Sequence, residues 1–185
     1  MFILSLYGGN MNINKYIPKM YRKNIFDIDY KLLKEKKIRC IIFDLDNTLL
    51  IFDEKKISNK TIGLIKKLKK DFDIVIMSNN FKGRISKICD CLDVDYVSFA
   101  LKPLSKGFNE VKKRYKYEER EICIIGDQLI SDVLGGNKAN IMTILVDPLS
   151  NDDLKITKIN RVIEKYILKR LKKINALERG KYYES

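Results

Sequence analysis

The chain has 185 residues, 45% of them hydrophobic and 33% charged, and a formal charge of +13. That balance suits one domain with a sizeable core, and no apolar stretch approaches the ~18–20 residues that span a bilayer. Histidine is absent, which excludes a Ser-His-Asp triad, histidine zinc sites and histidine general bases together. Chemistry here has to run on carboxylates, lysine and a hard metal. The four cysteines include no CxxC pair, so a reducing compartment is the simplest expectation. The positive charge favours polyanions, whether nucleic acid, anionic membrane or a phosphate-rich substrate; the plain alternative is a lysine-rich composition filling solvated faces.

In chain order, residues 1–10 are apolar but lack the basic start of a signal peptide. Met11 begins a polar, amphipathic stretch, so 1–10 is expected to be an extension or a start-site artefact and 11–185 a single domain. Residues 11–35 read as a helix-bearing lead-in. Strand-like runs follow at about 38–43, 73–77, 95–99, 121–125 and 142–146, alternating with helical patterns at about 58–70, 82–91, 105–116 and 129–138. Such alternation predicts an α/β fold, a parallel sheet with helices on both faces. From Ile156 onward apolar residues recur at 156, 159, 163, 166, 167, 171 and 174, the spacing of a helix face. Between Lys155 and Arg179 there are nine Lys or Arg and two Glu, a local charge of +7. A basic amphipathic helix over about 153–179 is expected, with its apolar face on the sheet and its basic face available to anionic lipid.

Four of the strands end in chemistry. Ile41-Ile42-Phe43 runs into Asp44-Leu45-Asp46-Asn47-Thr48. Asp73-Ile74-Val75-Ile76-Met77 ends in Ser78-Asn79-Asn80. Tyr96-Val97-Ser98-Phe99-Ala100 is followed by Lys102-Pro103. Ile122-Cys123-Ile124-Ile125 ends in Gly126-Asp127, with Asp132 a helical turn further on. Ligands of a parallel α/β sheet bind outside the carboxyl ends of its strands, so these groups should meet in one crevice. Clustered carboxylates without soft ligands select Mg²⁺. Asp44 is the expected metal ligand and nucleophile, Asp127 the second direct ligand, with Asp46 also expected at the metal and Asp132 and Thr48 in support. An aspartate can attack phosphorus to give an acyl phosphate, and Asp46 is placed to protonate the leaving alkoxide and then activate water. Lys102 supplies fixed positive charge, and Ser78 and the Asn79 backbone can donate to phosphoryl oxygens. Arg84 reads as a solvated helix-start residue, Arg161 and Glu164 as a surface pair, and Gly135-Gly136 as the end or bend of the fourth helix.

These segments resemble the haloacid-dehalogenase superfamily: Ile42-Phe43-Asp44-Leu45-Asp46-Asn47-Thr48 matches its first signature, and Ser78, Lys102 and Gly126-Asp127 with Asp132 follow in order. Asp46 is the mark of its phosphatase branches. The resemblance implies a Rossmann-like sheet, Mg²⁺ and an aspartyl-phosphate intermediate. More narrowly, Ser78-Asn79-Asn80, Ala100-Leu101-Lys102-Pro103, Gly126 to Asn137 and the tail Thr157 to Glu164 are similar to the YqeG-type subfamily, and over about residues 12–172. That subfamily resembles the yeast and plant phosphatases that remove the terminal phosphate of phosphatidylglycerophosphate.

Superfamily caps are inserted after the first motif or between the second and third. Here 29 residues separate Thr48 from Ser78 and 23 separate Ser78 from Lys102, enough for a helix and a strand or loop but not for a cap domain. An uncapped site suits a phosphomonoester presented on something large. The expected substrate is a lipid-borne phosphomonoester such as phosphatidylglycerophosphate, handled in the cytoplasm with peripheral contact at the inner membrane face. Two alternatives stay open: a phosphatase for nucleotides or nucleic-acid ends, and a non-catalytic protein binding RNA or ribosomes.

Overall fold

The computed structural model describes residues 11–51, 54–80, 82–150 and 155–184; the expected extension at 1–10 lies outside them. The apolar runs of the sequence become the centre of one sheet made from β1 (Met20–Arg22), β2 (Cys40–Phe43), β3 (Asp73–Met77), β4 (Asp95–Val97), β5 (Ile122–Gly126), β6 (Met142–Val146) and β7 (Tyr183–Glu184). Their spatial order is β4-β3-β2-β5-β6-β1-β7. Every pairing is parallel except that of β7 with β1.

The central strands read as continuous hydrophobic runs because both faces are covered. Ile41 and Phe43 point into a cluster with Leu33, Ile65 and Ile85. Cys40 and Ile42 point the other way, onto Phe108 and Val111. The covering helices are α1 (Tyr30–Glu35), α2 (Asn59–Leu68), α3 (Lys82–Leu92), α4 (Lys106–Tyr115), α5 (Leu134–Lys138) and α6 (Lys155–Lys173). Local signals start two of them: the Asp29 side chain accepts from the N–H groups of Lys31 and Leu32, and Ser58 accepts from that of Thr61, each satisfying amides the helix leaves unpaired. Between Thr48 and Ser78, α2 and β3 are the regular elements among the described residues, and between Ser78 and Lys102, α3 and β4. Among the described residues, neither gap carries a cap.

The register sets the site. Phe43 pairs with Ile76 on one side and with Ile125 on the other, so Asp44 stands level with Met77 and Gly126, and Ser78 and Asp127 emerge one residue further along the same carboxyl edge.

Several boundaries differ from expectation. The strand expected over 95–99 stops at Val97, and the helix expected over 129–138 opens as a π turn, Leu129–Val133, before α5. Gly135 and Gly136 lie inside α5 rather than ending a helix; a Cβ on Gly136 would sit 2.5 Å from Thr143 Cγ2, so α5 packs too close to β6 for any side chain there. The basic helix expected over 153–179 ends at Lys173, and residues 153 and 154 lie outside the described set. Its buried line is Ile163, Ile167 and Leu171, against Leu129, Val133 and Leu145. Tyr166 and Ile174 are exposed: Tyr166 sits about 100° around the helix from the middle of that line at 100° per residue, and Ile174 lies past the helix's last residue, Lys173. No helix among the described residues is long and apolar enough to cross a membrane.

Candidate active site

Asp44 continues the ladder beyond β2, its N–H donating to the Ile125 carbonyl at 2.9 Å. The chain then leaves strand geometry: Asp46 forms an isolated bridge with Leu50, and Asn47 takes a left-handed φ of 62°, a conformation Asn tolerates better than most residues. The two first-motif carboxylates therefore part company. Asp44 turns to Lys102, whereas Asp46 accepts from Arg84 and Asn80 on the β3 side. Arg84, expected to be solvated, is thus an ion-pair partner of Asp46, because α3 starts directly beside the first-motif loop.

Lys102 is buried and uses all three ammonium protons. Its Nζ donates to Asp44 Oδ1 at 2.6 Å, to Asp132 Oδ1 at 2.6 Å and to the Met77 carbonyl at 3.1 Å. Asn79 fixes the loop that delivers it: its Oδ1 accepts from the Lys102 N–H at 2.8 Å and its Nδ2 donates to the Lys102 carbonyl at 3.0 Å. The Asn79 side chain therefore positions Lys102. Ser78, also buried, accepts at Oγ from the Asn80 N–H at 3.1 Å.

Asp127 is fully buried. Thr48 Oγ1 donates to its Oδ1 at 3.4 Å, and Arg161 forms an ion pair with its Oδ2. Asp132 sits in the π turn, where its Oδ2 accepts from the Gln128 N–H at 3.1 Å. Gly126 is required here, since a Cβ would lie 2.3 Å from Asp132 Cγ.

Oxygens of Asp44, Asp127 and Asp132 all lie within 4.8 Å of one another. Of the residues expected at the metal, Asp44 and Asp127 fall in this cluster, the carboxylate of Asp46 lies outside it, and Asp132 completes it. Burial pushes the Asp44 carboxyl well above its ordinary range, and the Lys102 charge only partly offsets this. Burial likewise raises Asp127 to about 7 against the pull of Arg161. Lys102 is drawn down by burial, but Asp132 and Asp44 outweigh that and its ammonium is held charged. Three buried oxygen anions that are costly to ionise together, with no soft donor among them, fit a hard divalent cation. Burial also raises the Asp46 carboxyl, opposed first by Arg84, the direction a proton donor needs.

The tail of the chain holds residues that sequence reading misplaced. Arg161 and Glu164 are not a surface pair. Glu164 is buried, accepts from the Ile130 N–H at 3.0 Å and from Arg161 at 3.2 Å, and so braces the guanidinium that grips Asp127. Arg179 adds a second contact, donating to the Asp127 carbonyl at 3.3 Å. One signal was present: Glu164, Ile167 and Leu171 share helical spacing, which puts Glu164 on the buried stripe.

A family model described as mitochondrial PGP phosphatase matches residues 10–150, and Arg161 and Arg179 lie beyond that span. The probable phosphatase YqeG of Bacillus subtilis (strain 168) is 36% identical over 159 residues, covering 85% of this chain and 92% of that protein. Phosphatidylglycerophosphate phosphatase 1, chloroplastic/mitochondrial, of Arabidopsis thaliana is 26% identical over 165 residues, covering 83% of this chain but 47% of that longer protein. Among solved structures, a predicted HAD-like family hydrolase from Porphyromonas gingivalis superposes with a TM-score of 0.51 at 16% identity, covering 69% of this chain and 98% of that one, a likeness of fold. With the motif residues assembled at one sheet edge, the chain belongs to the mitochondrial PGP phosphatase family and is a phosphoric monoester hydrolase of the haloacid-dehalogenase superfamily, YqeG type.

Proposed function

We propose that this phosphatase is Mg²⁺-dependent, works through an aspartyl phosphate on Asp44, and takes a phosphomonoester carried by an anionic lipid, of the phosphatidylglycerophosphate kind. The observation that carries the reading is the Lys102 ammonium held between Asp44 and Asp132, with Asp127 within 4.8 Å of both carboxylates. Asp44, Asp127 and Asp132 would hold the cation, which supplies neutralising charge for the phosphoryl oxygens.

An Asp44 oxygen attacks phosphorus, and the ester oxygen leaves with a proton from Asp46. Asp46, now ionised, takes a proton from water, whose oxygen attacks phosphorus and releases inorganic phosphate with Asp44 restored. Lys102 keeps Asp44 in place through both steps, and Ser78 and the Asn79 backbone are the proposed donors to the phosphoryl group. Support for the lipid substrate comes from the Arabidopsis relative's name, the +13 charge and the absence of a cap among the described residues. The test is a panel of phosphatidylglycerophosphate in mixed micelles, nucleotides, 5′- and 3′-phosphorylated oligonucleotides and sugar phosphates, each with Mg²⁺ or EDTA. The lipid should give the highest kcat/KM and EDTA should abolish turnover. Preference for nucleotides or oligonucleotide ends would move the substrate to that alternative, and full activity in EDTA would refute the metal.

A further inference from the structure

We propose that the carboxyl-edge loops form a membrane-docking rim, in which Phe99, Leu101, Leu104 and Leu149 enter the headgroup–acyl boundary of an anionic bilayer beside the catalytic crevice. The inference rests on the lipid-substrate reading above for its purpose, though not for its geometry. Phe99 is 45% exposed, Leu101 42%, Leu104 58% and Leu149 45%, while between the first three Ala100 is buried in the core and Lys102 in the site.

The backbone there is bent against preference. Phe99 and Leu101 have φ of 52° and 56°, the left-handed region in which bulky side chains are outliers and Asn or Gly is at ease. Strain of this kind persists only where the surroundings impose it. Here Ala100 N–H donates to the Ser78 carbonyl at 3.2 Å, Lys102 N–H to Asn79, and Leu104 N–H to the Leu101 carbonyl at 2.8 Å. The bend that carries Lys102 inward turns two large apolar side chains outward, at positions where polar residues would hold the same backbone more easily.

Leu149 lies past β6 on the far side of the crevice, its N–H donating to the Asn47 carbonyl at 2.9 Å. That bond brings the loop after β6 back to the first-motif loop, as Phe99 N–H, donating to the Asn80 carbonyl at 3.3 Å, brings the loop after β4 over the end of β3, so both apolar groups stand on the carboxyl edge that carries Asp44. The surroundings suit an anionic surface. Lys106 is exposed at the start of α4, and Lys55 and Lys56 on the loop that follows the first motif, whereas Arg84, Arg161 and Arg179 at the crevice are taken up by ion pairs with Asp46, Asp127 and Asp147. Apolar side chains flanked by basic ones, around a phosphate-handling site, complement a negatively charged leaflet. Among the described side chains of helix α6, Ile163, Ile167 and Leu171 are packed on the core, Val162 and Tyr166 form one exposed pair a turn apart, and Ile174 lies just past the helix end.

The test is co-sedimentation of the full chain with vesicles of phosphatidylcholine and phosphatidylglycerol, comparing the wild type with a Phe99→Asn/Leu104→Ser double variant and a Val162→Ser/Ile174→Ser double variant. Asn accepts the backbone at position 99, so the rim variant keeps the fold. Rim substitution should weaken vesicle partitioning by about tenfold or more, slow hydrolysis of vesicle-borne phosphatidylglycerophosphate in proportion, and leave turnover of p-nitrophenyl phosphate unchanged. The helix variant should partition like the wild type. Wild-type protein that ignores vesicles, a rim variant that partitions normally, or a loss confined to the helix variant would each overturn the docking rim. If the rim governs partitioning and yet no lipid phosphomonoester is split, the rim stands and the lipid-substrate reading alone fails.

Discussion

Replacing Lys102 by Met keeps the length of the side chain and removes its charge from between Asp44 and Asp132. Both carboxylates are buried and each accepts from the ammonium at 2.6 Å, so the variant leaves two anions facing each other in a space with little water. Removing one member of a buried ion pair costs about 3–5 kcal/mol. For a chain of this size each kcal/mol moves Tm by about 2–4 °C, which predicts a drop of about 6–20 °C in EDTA at pH 8. Protonation relieves the repulsion. Because burial already raises the Asp44 carboxyl and loss of Lys102 raises it further, the deficit should shrink markedly at pH 5. Mg²⁺ at pH 8 should recover part of it, a cation taking over the neutralising charge, while turnover stays down by about 10²–10³-fold for want of a fixed charge at the nucleophile. Scanning calorimetry or dye-monitored melting at the two pH values, with EDTA or Mg²⁺, measures all of this. A Tm at pH 8 in EDTA within about 2 °C of the wild type, or an equal deficit at both pH values, would refute the reasoning.

The wild-type protein should also carry a pH signature. Asp127 is raised from an ordinary 3.8 to about 7, so the folded state binds the extra proton and stability falls as pH climbs between those values, by at most about 4 kcal/mol. Urea unfolding at pH 5 and pH 8 should show the fall in EDTA and a flatter profile in Mg²⁺; stability rising with pH in EDTA would contradict it. Arg161→Gln removes the cation that holds the Asp127 carboxyl down. Its kcat/KM should fall about 10–100-fold, with the acid limb of the pH–rate profile moved to higher pH and partial rescue by Arg161→Lys; an unmoved limb would mean that Arg161 does not position Asp127.

Much of this site was legible in the sequence because strand ends in a parallel sheet converge. Ile41 to Phe43 and Ile122 to Ile125 are long enough apolar runs to declare themselves as buried strands, and the residues that follow them, Asp44 and Asp127, had to share an edge. Met20–Arg22 and Tyr183–Glu184 were not legible. Three- and two-residue strands carry no alternation of their own and exist only through pairing with β6 and with each other. The divergence of Asp44 and Asp46 was hidden for a similar reason: alternation holds only while the chain remains a strand, and the left-handed Asn47 ends it. Arg161 looked like half of a local i, i+3 pair because its decisive partner, Asp127, is 34 residues away in sequence. The π turn at Leu129–Val133, a feature common at functional sites, has helical spacing in the sequence and cannot be told from an α-helix there.

The central claim, that Asp44 accepts the phosphoryl group with help from a divalent ion, is tested most directly by trapping. Rapid quench during turnover, borohydride reduction and peptide mass spectrometry should convert residue 44 to homoserine in the presence of Mg²⁺ and leave it as aspartate in EDTA. Phosphate release with no modification at position 44, or with the modification at another carboxylate, would contradict the account.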